Sequence, residues 1–358
     1  MASRTAPSTA CDVLIVGGGI AGASLGAAIA ARRRTIIIEA ESQCGFHATG
    51  RSAAFWMESY GGPAITPLTT ASRAALGTGG FLSPRGALHI SDDAPIAPVA
   101  GVGSRQVARA ELERIVPGIR PSWRYARYEP GCSDIDVAGL HAAFLAQFRR
   151  SGGSVVTDAA LSSARFASGR WTIALAGGET LTAAVLVNAA GAWADVVAAA
   201  AGAAPLGIAP KRRTMVQLRV ARDGLRALPL INDAAGKFYF KGEGDRSLWL
   251  SPHDEIDSAP GDAAPEEIDV ATAVDRFQQV VDWPVEAVER RWAGLRSFAP
   301  DRAPVYGFDS GVPGLFWCAG QGGFGIQTAP AAAKLAAALL LGEQPEIDPA
   351  PFSPGRFA

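Results

Sequence analysis

At 358 residues, 48% of them hydrophobic and 19% charged, the chain can bury one large core or two moderate ones. Its 33 basic residues nearly cancel its 34 acidic ones, and no Lys/Arg block is interleaved with aromatics, which argues against a nucleic-acid partner. Cys11, Cys44, Cys132 and Cys318 stand far apart with no CxxC pair, so neither a metal site nor a disulfide framework is expected, and a reducing cytoplasm suits them.

The opening MASRTAPSTA is small and polar and reads as a flexible N-terminus over 1–10 with no cleavable signal. From Asp12, DVLIV reads as a strand, GGGIAG as a turn, the alanine-rich stretch to about Ala31 as a helix, and TIIIEA as a second, parallel strand. Gly17, Gly19 and Gly22 then form a dinucleotide fingerprint. The first permits a tight turn, the second lets the backbone approach a pyrophosphate, and the third lets the helix pack on the sheet. Glu39, closing the second strand, would accept hydrogen bonds from the adenosine ribose hydroxyls. A glycine turn in a generic α/β protein is the plain alternative, and the full constellation speaks against it.

This fingerprint alone does not choose between NAD and FAD. In the following HATGRSAA, Thr49, Gly50, Arg51 and Ser52 offer hydroxyls, a cation and an unhindered backbone to a second stretch of pyrophosphate and a ribityl chain. A nicotinamide enzyme would not need this loop. His47 adjoins it and could tune a flavin, or be structural. After the aromatic AAFWMESYGG, residues 81–130 are irregular in pattern. Next come an amphipathic helix from Val137, a hairpin in RWTIALAGGETL, and AVLVNAAGAWA, a buried strand ending in a turn that carries Ala190, Gly191 and Trp193.

Strand-like runs MVQLRV, KFYF and SLWL fall within 214–252, and the acidic, proline-rich stretch 254–267 reads as a solvated loop. Near the end, GLFWCAGQGGFGIQT repeats strand, glycine turn and helix. Its backbone N–H groups could meet the negative charge of a reduced flavin. The helix that follows carries Lys334 and is too short to span a bilayer, so no transmembrane segment is expected.

The fold expectation is therefore α/β in two domains. A Rossmann-type FAD-binding domain is assembled from 11–80, 131–205 and 291–358, and a discontinuous antiparallel-sheet substrate domain from 81–130 and 206–290. Two arginines lie within or beside apolar runs, Arg213 in KRRTMVQL and Arg296 in RRWAGLRSF. A buried guanidinium needs an anion, which a substrate carboxylate or an ordinary Asp/Glu partner could supply. Lys211 and Arg212 read as solvated charges.

In order, VGGGIAGAS, ATGRSAA, AVLVNAAGAWA, PKRR, FYFK, WAGLRSF and QGGFGIQT make the chain resemble the FAD-dependent D-amino acid oxidase (DAO) superfamily over nearly its whole length. Within it the resemblance is greatest to the bacterial D-arginine dehydrogenases. The likeness implies that Arg213 and Arg296 hold a substrate carboxylate, that Tyr60 and Tyr239 close the pocket, and that the Gly323 carbonyl lies near the substrate amine. It further implies non-covalent FAD contacts at Ala21 and Ala40, and along the loop formed by Ala48, Ala53, Ala54 and Phe55 with the residues named between them. The backbone near Leu161 and the turn Gly322, Gly323, Phe324, Gly325, Ile326 and Gln327 complete that set.

Departures from the arginine-specific pattern concern the side-chain pocket. Ala87 stands where those enzymes have a glutamate, and Phe55, followed by Trp56 and Met57, stands where they have a histidine. A neutral, hydrophobic D-amino acid is then the expected substrate, converted to a 2-oxo acid and ammonia. Sarcosine-type oxidases carry an attachment cysteine and an oxygen-activating lysine; this chain reads APDRAP and, at the approximate lysine position, Trp249. That favours a dehydrogenase using a quinone or another acceptor. A glycine or sarcosine-type oxidase releasing hydrogen peroxide, an NAD-dependent dehydrogenase and a flavin-binding protein without turnover are the rivals.

Overall fold

The structure is a computed structural model that describes residues 9–357. The N-terminal stretch expected to be flexible lies outside them up to residue 8, and Ala10 already belongs to the first strand, Ala10–Val16.

That strand is central to an eight-stranded sheet. It pairs in parallel with Thr35–Ile38 on one edge and with Thr180–Asn188 on the other, and Leu315–Ala319 adds to the latter, also in parallel. Such strands are sandwiched between layers, which is why VLIV and TIII are apolar without alternation and buried throughout. One face is covered by the helices Ile20–Ile29, Val137–Arg150 and Gly325–Leu341, whose Leu25, Ile29, Phe148, Leu335 and Ala336 pack on Val13, Ile15 and Ile37. The other buries Leu14, Ile36, Leu186 and Trp317 against the hairpin carrying Trp171 and the helix Ala194–Ala200.

A second sheet of nine strands is built from both segments expected to form the substrate domain. The long strand Ala209–Val220 pairs antiparallel with Val285–Phe298 on one edge and with Ser247–Ser251 and Ile256–Asp257 on the other. The expected all-antiparallel arrangement is corrected at one place: Leu230–Asp233 runs parallel to Ala87–Ser91. These two strands come from separate segments, so no hairpin dictates their direction. Phe240, Val216, Leu218 and Leu248 from this sheet pack against Ala273 and Phe277 of the helix Glu267–Gln278. The expected junction at 290/291 falls inside the strand Val285–Phe298, which keeps its pairing through that point and carries Arg296 to the first sheet. Among the described residues no helix is long and apolar enough to cross a membrane.

Candidate active site

Five parallel strands end on one side of the first sheet, and the segments that follow them line a single cleft whose empty volume, open mouth included, is about 1890 Å³. Gly17 and Gly19 follow Ala10–Val16, Glu39 and Ala40 follow Thr35–Ile38, Ala159 follows Ser154–Val156, Ala190, Gly191 and Trp193 follow Thr180–Asn188, and Gly322 and Gly323 follow Leu315–Ala319. Crevices at the carboxyl ends of parallel strands are where such sheets bind nucleotides.

The glycines are needed for shape. Gly17 has φ +102, and a Cβ there would lie 2.5 Å from the Ala189 carbonyl oxygen; one on Gly22 would lie 2.0 Å from that of Gly17. Gly22 therefore packs the helix on the strand rather than lining the cleft. The Glu39 carboxylate accepts from the backbone N–H of Gly18 (2.8 Å) and of Glu41 (3.1 Å), which fixes it at the cleft wall. Thr49 accepts the Ile20 N–H at 2.9 Å and so docks its loop on the fingerprint turn. Ala21, Ala48, Ser52, Ala53 and Leu161 reach the cleft, as do Gly325 and Ile326 at the start of a helix that no side chain caps. A carboxylate at one end, a glycine turn, and an uncapped helix start at the other fit FAD.

Several expected contacts have other duties. Gly50 closes a turn through its N–H to the Gly45 carbonyl (2.8 Å), and Ala54 is buried with Ile20, Trp56 and Ile326. Gln327 takes the Met57 N–H (3.3 Å) and donates to the Tyr60 carbonyl (3.1 Å), so it shapes the segment beneath the pocket. Phe324 packs on Tyr60, ring centroids 5.1 Å apart. His47 lines the cleft, bonded to Glu41 at 2.8 Å and 4.7 Å from the Trp193 ring, with its Nδ1 buried and unpartnered among the described residues.

The acidic stretch is largely an exposed loop, as expected, but it is anchored at Arg51, which does not aim its charge into the cleft. Arg51 donates to the carbonyls of Ala263 (2.9 Å) and Ala293 (3.1 Å) and pairs with Asp262. Gly261 and Ala263 thereby become part of the cleft wall. Arg212 is not solvated: it is enclosed by Glu266 and by Asp269 (2.9 Å), while Lys211 pairs with Asp257. The strand is covered by the helix Glu267–Gln278 on the face opposite the cleft, so alternation buries both arginines.

Past the glycine turns the cleft reaches Arg213, Met215, Tyr239 and Arg296. Arg213 is 3% exposed; its Nε donates to the Asp254 carbonyl (2.6 Å), its Nη2 meets Glu255 (3.1 Å), and its Nη1 is buried without a partner among the described residues. Burial, and then the neighbouring charge of Arg296, push the Arg213 pKa down. Arg296 donates to the Tyr60 hydroxyl at 2.7 Å, and among the described residues no carboxylate lies within ion-pair distance of it. Gly323 closes this end, for a Cβ there would lie 2.7 Å from the Tyr60 hydroxyl and 2.9 Å from Arg296 Nη1. Two guanidiniums held together this way call for an anion.

Beside them is an apolar cluster of Phe55, Met57, Ala87, Met215, Leu230 and Tyr239, with Tyr60 and Trp249 packed against it. Phe55 sits 5.5 Å from Tyr60 and 5.7 Å from Tyr239 by ring centroids. Met215, which accepts from the Tyr239 hydroxyl (3.1 Å), was not among the expected residues. Its signal was the strand period: it stands two positions from Arg213 and so faces the same way.

His253, edge-on to Tyr239 at 5.8 Å, has its pKa lowered to about 4 by burial and then by Arg213, while its bond to the Gly236 carbonyl works the other way. An unfolded histidine titrates near ~6.5, so the unfolded chain takes up a proton that the folded one refuses. Stability is then full above about pH 6.5 and falls as the pH drops toward 4, by roughly 3 kcal/mol for this group. Substitution by asparagine, which tolerates the φ of +55 at this position, is expected to flatten the melting temperature against pH across that window. An unchanged acid limb would assign the loss to other groups.

Comparison with known proteins agrees with this geometry. Residues 12–339 match the family described as FAD dependent oxidoreductase, DAO. The glycine oxidase of Pseudomonas aeruginosa is 32% identical over 168 residues, 46% of this chain and 44% of that protein, so the matched part spans less than half of that relative. The glycine oxidase of Pseudomonas putida is 28% identical over 276 residues, 75% of this chain and 73% of that one. Among solved structures, L-proline dehydrogenase from P. horikoshii covers 97% of both chains with a TM-score of 0.83 at 19% identity, a likeness of fold.

Proposed function

The chain belongs to the FAD dependent oxidoreductase family, and from that premise we propose that it oxidises neutral, hydrophobic D-amino acids to the 2-oxo acid and ammonia, passing the electrons to an acceptor other than oxygen. The observation that carries this is the pairing of Arg213, with its free Nη1, and Arg296 at the inner end of the cofactor cleft. Bound FAD supplies a two-electron acceptor for the Cα hydride.

The protein's share is positioning. A carboxylate held by both guanidiniums has its Cα fixed relative to the glycine turn at Gly323, and orientation of this kind accounts for much of such catalysis. Met215 and Tyr239 line the cleft here, with Phe55, Met57, Ala87 and Trp249 packed behind or beside them, and this apolar wall receives the side chain. It holds no acid to balance a cationic one, which disfavours D-arginine. The substrate amine loses its proton to solvent, and water then hydrolyses the imino acid. Non-covalent FAD binding is supported by Cys44, the cysteine beside the fingerprint turn. Burial and Glu39 push its thiol up to about 11, so it presents no thiolate.

A glycine or sarcosine-type oxidase is the second reading, favoured by the Pseudomonas relatives. A buried lysine, Lys241, does stand 5.0 Å from the Trp249 ring, but its ammonium is taken by Asp134 at 2.9 Å. Anaerobic mixing with D-, L- and N-methyl amino acids tests both readings. Bleaching of the flavin by D-leucine or D-phenylalanine well ahead of D-arginine and glycine is expected, with faster turnover on a quinone analogue than on oxygen. Bleaching by glycine or sarcosine with rapid peroxide release would establish the second reading instead.

A further inference from the structure

Glu255 and Arg302 lie outside the cleft wall, yet both connect to its clamp. Glu255 Oε1 accepts from Arg213 Nη2 at 3.1 Å, and both Glu255 oxygens accept from Arg302 Nη2 at 2.9 Å. Burial works to raise the Glu255 carboxyl, but Arg302, Arg213 and Arg296 outweigh it and hold the group below the usual range. Arg302 lies over the Phe298 ring at 3.9 Å, and that ring fills the space a Cβ on Gly322 would need, 2.4 Å away. The chain of contacts thus runs from the cofactor turn to Arg213.

Nε and Nη2 form one edge of a planar guanidinium. On Arg213 that edge is occupied by the Asp254 carbonyl and Glu255, and the unpartnered Nη1 belongs to the other. Arg302 keeps a left-handed backbone, φ +67, which non-glycine residues rarely adopt unless their surroundings impose it. A turn hydrogen bond from the Arg302 N–H to the Ala299 carbonyl (2.8 Å) holds that conformation and so fixes where the side chain starts. We infer that Glu255 and Arg302 are positioning residues that grip Arg213 by one edge and so present its other edge to the substrate carboxylate. The inference rests on the reading of Arg213 and Arg296 as a carboxylate clamp.

The test uses the FAD-loaded enzyme and propionate as a carboxylate probe, titrated by its perturbation of the flavin spectrum, alongside kcat and KM for the best amino acid. Glu255→Ala is expected to raise the propionate Kd and KM about tenfold with little change in kcat. Glu255→Gln recovers most of the loss, because its amide oxygen still accepts from Nη2. Arg302→Gly raises Kd several-fold while the melting temperature holds or rises, since glycine is at ease at φ +67. Unchanged affinity in Glu255→Ala and Arg302→Gly overturns the inference, as does tighter binding in Glu255→Gln, which would make Glu255 a repelling charge. It also falls if Glu255→Gln is no better than Glu255→Ala, or if affinity drops only in step with melting temperature. If an amino acid reduces the wild-type flavin while these variants behave like wild type, only the positioning role falls. If the wild type neither binds propionate nor is reduced by any amino acid, the clamp falls and the positioning role with it.

Discussion

Methionine in place of Arg213 is expected to lower kcat/KM for the preferred amino acid about a thousandfold and to leave FAD bound. The substitution keeps an unbranched chain in a buried site but removes the guanidinium whose Nη1 has no partner among the described residues. Two charge-assisted hydrogen bonds to a carboxylate, at roughly 2 kcal/mol each, amount to about three orders of magnitude. Some stability is lost too, because removing one partner of a buried pair leaves the other groups uncompensated, as at the Asp254 carbonyl that accepts from Nε. Glu255 still keeps Arg302 as a partner, and the Asp254 carboxylate keeps the Thr214 N–H at 2.8 Å. Steady-state kinetics with the flavin spectrum as a control decide it. A loss under tenfold would show that the carboxylate is held elsewhere.

Valine at Gly22 should have the largest effect on the fold itself. Its Cβ would lie 2.0 Å from the Gly17 carbonyl oxygen and 3.2 Å from Ile15 Cγ2, and the nearer obstacle is backbone that cannot rotate away. Overpacking of this kind costs several kcal/mol, here on the order of 4, and it separates the helix Ile20–Ile29 from the strand that shapes the turn. A fall in melting temperature of about 5 °C, with loss of the flavin absorbance that copurifies, is expected. Gly77 is the control: it lies in the helix Thr66–Thr78 with nothing within 4 Å of a built Cβ, and Gly77→Ala should stabilise by ~0.5–1 kcal/mol. Retention of flavin and stability by Gly22→Val would remove the packing argument.

What could be read in the sequence was what local geometry dictates. Gly17, Gly22 and Glu39 are set by a strand, a turn and a helix contiguous in the chain, and Arg213 and Arg296 stood out as charges in apolar runs. The stretch 254–267 could not be read this way. Its acidic, proline-rich composition is that of a solvated loop, and only tertiary structure brings Asp254 and Glu255 to Arg213 and Asp262 to Arg51. Arg212 was misread for a related reason: the sequence shows its neighbours in the chain, while the helix that covers its face begins more than 50 residues later. The parallel pairing of Leu230–Asp233 with Ala87–Ser91 likewise joins segments between which no local signal exists.

The strand Val285–Phe298 is paired with Ala209–Val220 inside the second sheet, and its last residue, Phe298, bridges to Gln321 in the final glycine turn of the first. Bending it at the cleft would break ladder hydrogen bonds near Arg296, which ties the clamp to the glycine turn and opposes a jaw-like opening between them. Substrate entry and product exit must then rely on small movements of side chains and of the segment tied down by Arg51. Solvent viscosity should slow such steps far less than it slows the rotation of whole domains.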